Sequence, residues 1–135
     1  MKLPHARIPR TGDALVDHFF STLVSIFGRE VVKTGWVVNL RNSKGSRHRN
    51  DGLFVFVKNK YRIFLDDDLQ MRPFFAARVL LHELIHCLMT IEGRKREERA
   101  VLAFERILWQ RLSLAQKRYL MKLLPPFSRY FPQPR

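Results

Sequence analysis

The sequence predicts an α+β domain whose elements run helix, strands, helix, helix, and three observations carry that prediction. Apolar residues recur at helical spacing near the N-terminus, β-branched and aromatic residues dominate positions 35–65, and the helical period returns from Pro73 onward. At 135 residues the chain is long enough for one core and too short for two. Residues 1–135 are therefore read as a single domain, with a lead over 1–11 and a Pro-rich tail over 125–135. A hydrophobic content of 46% with eleven Phe excludes a disordered chain.

Each element has a local cause. In "TGDALVDHFFSTLVSIFG", Thr11 or Asp13 caps a first helix, Leu15, Phe19, Leu23 and Phe27 give its apolar spacing, and Gly28 ends it. "VVKTGWVVNL" predicts a strand from about Gly35 to Arg41, and "RNSKGSRHRNDG" a polar, basic, mobile loop. "LFVFVKNKYRIFLDDD" predicts a hairpin turning at Lys58-Asn59-Lys60, which makes three strands in all. Apolar residues fall on both parities of these strands, so both faces of the sheet need cover, much of it from helices on one side. "PFFAARVLLHELIHCLMTIE" is a second helix with Pro73 in its first turn, broken by Gly93. "REERAVLAFERILWQRLSLAQKRYLMKLL" is helical again with an interruption near Ser113, and "PPFSRYFPQPR" cannot continue it.

Composition bounds the function. Cys87 is the only cysteine, which rules out a disulfide framework and a cysteine zinc knuckle and fits a reducing, cytoplasmic setting. "MKLPHARIPR" has no apolar core of a signal peptide, and no apolar run approaches the roughly 20 residues of a bilayer span, so no membrane is expected. The net charge of +13 admits weak nucleic-acid binding through a basic surface. No zinc finger, helix-turn-helix or aromatic-rich RNA motif accompanies that charge.

The chemistry concentrates in "LLHELIHCLM". His82 and His86, four apart, stack on one face of a helix and can aim two imidazoles at one point. Zinc accepts imidazole nitrogen and takes about four ligands, one of them water in a catalytic site. Glu83 stands beside the first histidine, where it can serve as general base toward a metal-activated water. Leu80, Leu81, Leu84, Ile85, Leu88 and Met89 wrap the helix in apolar side chains, so this polar trio is buried and needs partners.

A third protein ligand is restricted by what the rest of the chain lacks. No histidine follows His86 and no aspartate follows Asp68, which leaves Glu92, Glu97, Glu98 and Glu105. Glu92 is turned away from the histidine face of its own helix, so the ligand is expected on the next one. Helix-hairpin geometry places Glu97 and Glu98 opposite His86 and Glu105 two turns further on. Glu98 shares a face with Val101, Leu102, Leu108 and Leu112 and is preferred, followed by Glu97 and then Glu105. One of Asp66, Asp67 or Asp68 is a candidate to orient a ligand histidine, and Tyr61, Tyr119 and Tyr130 are undifferentiated oxyanion candidates. The strand Tyr61 to Leu65 is a candidate sheet edge for pairing with an extended peptide. His5, His18 and His48 are read as non-ligands and Cys87 as a core residue.

With "HELIH" on a helix, a preceding hairpin ending "RIFLD" and a following helix bearing "EERAVLAFERIL", the chain resembles the gluzincin metallopeptidases, particularly the minigluzincins. The resemblance runs from about Leu15 to Leu112, with HELIH its one specific motif. It implies a minimal zincin-like domain: an N-terminal helix, a small mixed sheet, an active-site helix and a glutamate helix. It also implies Zn2+ on a His-His-Glu site and hydrolysis of peptide bonds in a peptide or protein substrate. The regulatory zincins that cleave bacterial repressors are similar too, and their "ExxA" pattern matches Glu97-x-x-Ala100, which would move the third ligand to Glu97. No Asp or Asn stands four residues after Glu97, Glu98 or Glu105, so the carboxylate that supports a ligand histidine in larger gluzincins is missing. By analogy with latent small members, "LPPFSRYFPQPR" is a candidate inhibitory segment across the cleft, making the enzyme a zymogen. The alternative reading is a regulatory or nucleic-acid-associated protein of zincin fold that cleaves or binds a protein partner.

Overall fold

The structure is a computed structural model, and it describes residues 7–28, 32–40, 51–93 and 98–132. Its elements are α1 (Ala14–Gly28), β1 (Val32–Val37), β2 (Gly52–Val57), β3 (Lys60–Asp66), a short 3-10 helix (Asp67–Met71), α2 (Pro73–Ile91), α3 (Glu98–Arg111) and α4 (Leu114–Lys122). This is the α+β order expected, with four helices and one mixed three-stranded sheet.

Asp13 starts α1, its Oδ1 accepting from the N–H groups of Leu15 at 3.1 Å and Val16 at 3.2 Å. The buried stripe of α1 is Val16, Phe20, Leu23 and Phe27, whereas Leu15 is 61% exposed and Phe19 only partly covered. The expected row Leu15–Phe19–Leu23–Phe27 fails at its first half because each step of four residues rotates about 40° past a full turn. The observed row mixes steps of four and three and stays on one face.

In the sheet, β3 is central: β1 pairs with it in parallel and β2 antiparallel. That corrects the expectation that Tyr61 to Leu65 forms an edge, since β3 is hydrogen-bonded on both sides. The β2–β3 hairpin closes through Lys58 and Asn59 at φ 53° and 64°, the left-handed pair of a type I′ turn, which matches the twist of the strands. β1 begins three residues earlier than the composition suggested and stops at Val37, with Asn39 at φ 59° just beyond it. Gly35 read as a strand start, but it lies inside β1 under the Phe131 ring, where a Cβ would come within 2.9 Å of Phe131 Cδ2. The predicted loop over 41–52 falls mostly outside the described residues.

Both sheet faces are covered, as the double parity requires. Val32, Trp36, Phe54, Ile63 and Leu65 join the main core under the helices. On the far face Val37, Leu40 and Phe64 form a smaller cluster with Leu53, Val55 and Phe131. There the cover comes from the C-terminal segment. The Trp36 N–H donates to the Arg129 carbonyl at 2.9 Å, the Phe131 N–H to the Trp36 carbonyl at 2.8 Å, and Trp36 Nε1 to the carbonyls of Pro125 and Pro126. The tail thus seals the outer edge of β1.

α2 is the central helix, with Pro73 at its start and Gly93 at φ 71° just past its end. At 19 residues it meets the length and apolarity of a membrane span, contrary to the expectation that no run comes close, and half of that window is buried inside the protein. Ser113 and Gln116 form a reciprocal capping box that separates α4 from α3 at the expected break. Gln116 Nε2 also donates to Asp17 Oδ1 at 3.0 Å and to the Pro9 carbonyl, tying α4 to α1 and the lead. Asp17 accepts further bonds from Thr11 and Gly12, and the Thr11 N–H above all holds its carboxyl below the ordinary range.

Candidate metal centre

Three elements converge on an open cleft of about 830 Å³: β2 contributes residues 52–54, α2 contributes Phe75, Arg78, Val79, His82, Glu83 and His86, and α3 contributes Glu98, Leu102 and Glu105. The helical period accounts for the α2 side. Arg78, His82 and His86 stand at i, i+4 and i+8 on the face turned to α3, while Glu83, one residue round the helix, turns toward β2.

Glu98, the first residue of α3, spans both histidines. Its Oε1 lies 2.8 Å from His82 Nε2 and its Oε2 2.9 Å from His86 Nε2. The two imidazole centroids are 4.9 Å apart, and the ligand atoms of His82, His86 and Glu98 all lie within 4.8 Å of one another. Both histidine side chains are 13% exposed and the Glu98 side chain 60%, so the cluster opens to solvent on the α3 side. Two imidazoles and a carboxylate are the kind of donor set that zinc takes, and here the carboxylate oxygens touch the imidazole nitrogens directly. Glu98 meets both histidines, while Leu102, expected on the packing face with it, is 46% exposed and lines the cleft. Glu97 lies outside the described residues.

Glu105 does not join that cluster. Its Oε1 lies 3.6 Å from His82 Nδ1, the ring nitrogen facing away from Glu98, and its Oε2 accepts from both Nε and Nη2 of Arg78 at 2.9 Å. Asp66, Asp67 and Asp68, the aspartates considered for supporting a ligand histidine, stand at the start of the 3-10 helix, where Asp66 caps by accepting from the Asp68 N–H; none lines the cleft. The second carboxylate facing His82 is therefore Glu105, seven residues after Glu98 rather than four. Seven residues are close to two full turns, so both glutamates face α2.

Glu83 is 6% exposed and accepts a hydrogen bond from the Phe54 N–H of β2. Burial pushes its carboxyl up to about 7; the His82 charge and the Phe54 bond pull the other way, while Glu98 adds to the rise. Burial also works against a charged His82. The Glu105 carboxylate 3.6 Å from Nδ1, together with the charges of Glu83 and Glu98, outweighs it and leaves His82 above the ordinary imidazole value. Burial alone pushes the Cys87 thiol up to about 12, consistent with an inert core residue.

Several expected roles find no place here. Tyr61 packs against Phe54 and Phe56, Tyr119 is buried beside Phe20, and Tyr130 lies on the β1 edge, so none of the three reaches the cleft. The tail, described as far as Pro132, runs along β1 and the far sheet face, not across the cleft. His18 is exposed on α1, away from the cluster, while His5 and His48 lie outside the described residues.

Three contributors escaped the sequence reading. Arg78 had a usable signal, since it stands one turn before His82 on the same face. Gly52 and the Phe54 backbone had none, because their part depends on where β2 meets α2. A Cβ on Gly52 would lie 2.7 Å from Val79 Cγ1 and 3.1 Å from Glu83 Cγ, so only glycine allows β2 this close. Comparisons of the chain with models of known protein families, with curated proteins and with solved structures found no match.

Proposed function

We propose that the protein is a zinc-dependent metallopeptidase in which His82, His86 and Glu98 hold the metal and Glu83 is the general base. The observation that carries this reading is the convergence of the two Nε2 atoms on one Glu98 carboxylate, with a buried Glu83 lining the same open cleft. Zinc held there would supply Lewis acidity toward a substrate carbonyl and acidify a water. Glu83, with its carboxyl raised to about 7, is matched to taking a proton from the attacking water near neutral pH and passing it to the leaving amine. The Phe54 N–H fixes the direction in which that carboxylate points.

The cleft also suits an extended chain. β2 is the outer strand on this side, and its register with β3 turns the backbone groups of residues 52, 54 and 56 away from the sheet, with the Phe54 N–H already given to Glu83. A substrate backbone lying antiparallel or parallel to β2 would pass directly in front of His82 and Glu83. Phe75, Val79 and Leu102 provide apolar wall for its side chains.

The test is metal analysis combined with hydrolysis of a mixed peptide library, for the parent and for Glu83→Gln. The parent should carry one zinc and cleave, and Glu83→Gln should carry the same zinc and not cleave. A zinc-loaded parent that cleaves nothing, or a Glu83→Gln variant that cleaves like the parent, would overturn the assignment.

A further inference from the structure

We propose that Glu105, clamped by Arg78, is a positioning residue that presents His82 to the metal, forming a relay Arg78–Glu105–His82 across α2 and α3. The proposal rests on the zinc reading above and adds a role that the HELIH pattern does not contain.

The geometry divides the labour of one carboxylate. Oε2 is taken up entirely by Arg78, whose Nε and Nη2 both donate to it at 2.9 Å, and this leaves Oε1 to face His82 Nδ1 at 3.6 Å. A carboxylate at Nδ1 favours a proton held there, so that when a cation takes the place of the proton that Nε2 donates to Glu98 Oε1 at 2.8 Å, the Nε2 lone pair faces that cation. The Glu105 side chain is only 10% exposed, and a carboxylate so covered needs a counter-charge to stay ionised. Arg78 supplies it from the same helix as His82, one turn earlier, so the support moves with the ligand it supports.

Arg78 also keeps Glu105 from becoming a ligand itself. Along the α2–α3 seam the order is Arg78, Glu105, His82, Glu98, His86, with each carboxylate held between two basic side chains. Among the described residues Glu98 pairs with the two imidazoles, whereas Glu105 is anchored by the Arg78 guanidinium. The relay therefore separates two glutamates on one helix face into a ligand and a support.

The experiment compares parent, Glu105→Leu, Glu105→Gln, Arg78→Met and the double variant Arg78→Met/Glu105→Leu. Zinc affinity is measured by chelator competition, and the visible absorption of the Co2+-substituted proteins reports ligand geometry. Glu105→Leu should weaken zinc roughly 10–100-fold and alter the Co2+ spectrum. Glu105→Gln, whose side-chain carbonyl keeps an acceptor facing Nδ1, should lose less. Arg78→Met should weaken zinc in the parent background and add nothing in the Glu105→Leu background, because it acts through Glu105. A merely structural pair would lower the melting temperature of the metal-free variants while zinc affinity and the Co2+ spectrum stayed at parent values, and that result overturns the proposal. Should Glu105→Leu fail to fold, Glu105→Gln and Arg78→Met decide it in the same way. A parent whose zinc uptake is unaffected by His82→Ala would instead remove the zinc reading, and the relay with it.

Discussion

Gly52→Ala tests how tightly the cleft is built. The added methyl would stand 2.7 Å from Val79 Cγ1 and 3.1 Å from Glu83 Cγ. Carbon atoms sit comfortably at about 3.5–4.0 Å, so nearly an ångström of overlap must be relieved. Val79 has little freedom to give, because a β-branched side chain in a helix is held to one rotamer, and so β2 must lift away from α2. Such overpacking costs about 1–3 kcal/mol, offset by the roughly 0.5–1 kcal/mol that alanine gains over glycine within a strand. A net loss of about 1 kcal/mol, reaching at most about 2.5 kcal/mol, is expected from these two effects, read as a lower urea midpoint at unchanged slope. Val79→Ala removes the Cγ1 atom, so the double variant should be more stable than the sum of the single effects by at least ~0.5 kcal/mol. The lifted strand also carries off the Phe54 N–H, so hydrolysis should fall in Gly52→Ala with zinc content unchanged. A variant as stable as the parent, or single effects that simply add, would refute the close approach of β2 to α2 at this point.

Glu83 gives a pH signature in the metal-free protein. Its folded value of about 7 lies above the ordinary 4.5, so its contribution to stability is complete below 4.5 and is lost as pH rises through 7. Glu83→Gln should flatten that decline and be the more stable form at pH 8, by on the order of 3 kcal/mol, in urea titrations run across the range. For the third ligand, Glu98→Ala should weaken zinc by more than the roughly 10–100-fold that a supporting partner costs, and Glu97→Ala should leave chelator competition unchanged. Deleting residues 125–135 removes the acceptors of Trp36 Nε1 and the pairing on β1. Three or four hydrogen bonds at about 0.5–1.5 kcal/mol each give a loss of roughly 1.5–6 kcal/mol, visible in thermal melts. Hydrolysis per folded molecule should not rise, and a marked rise would restore the tail as an inhibitory segment.

What the sequence determined by itself is what short-range physics decides. The HELIH spacing places His82 and His86 on one face of a helix whatever surrounds it. Pro73, Gly93 and the Ser113/Gln116 pair punctuate the helices because caps and breaks act over three or four residues. The lack of any later His or Asp narrowed the expected third ligand to a glutamate before any fold was known. Tertiary structure alone decided which strand is central, since a β-rich run reads the same at an edge or in the middle. It decided that Gly35 and Gly52 are sites of close approach and not breaks, because the Phe131 ring and Val79 reach them from distant parts of the chain. It separated Glu98 from Glu105, which share a helix face and differ only in what stands opposite: two imidazoles for one, an arginine and the back of a histidine ring for the other. Charge partners across two helices are set by how those helices dock, and no local pattern encodes the docking.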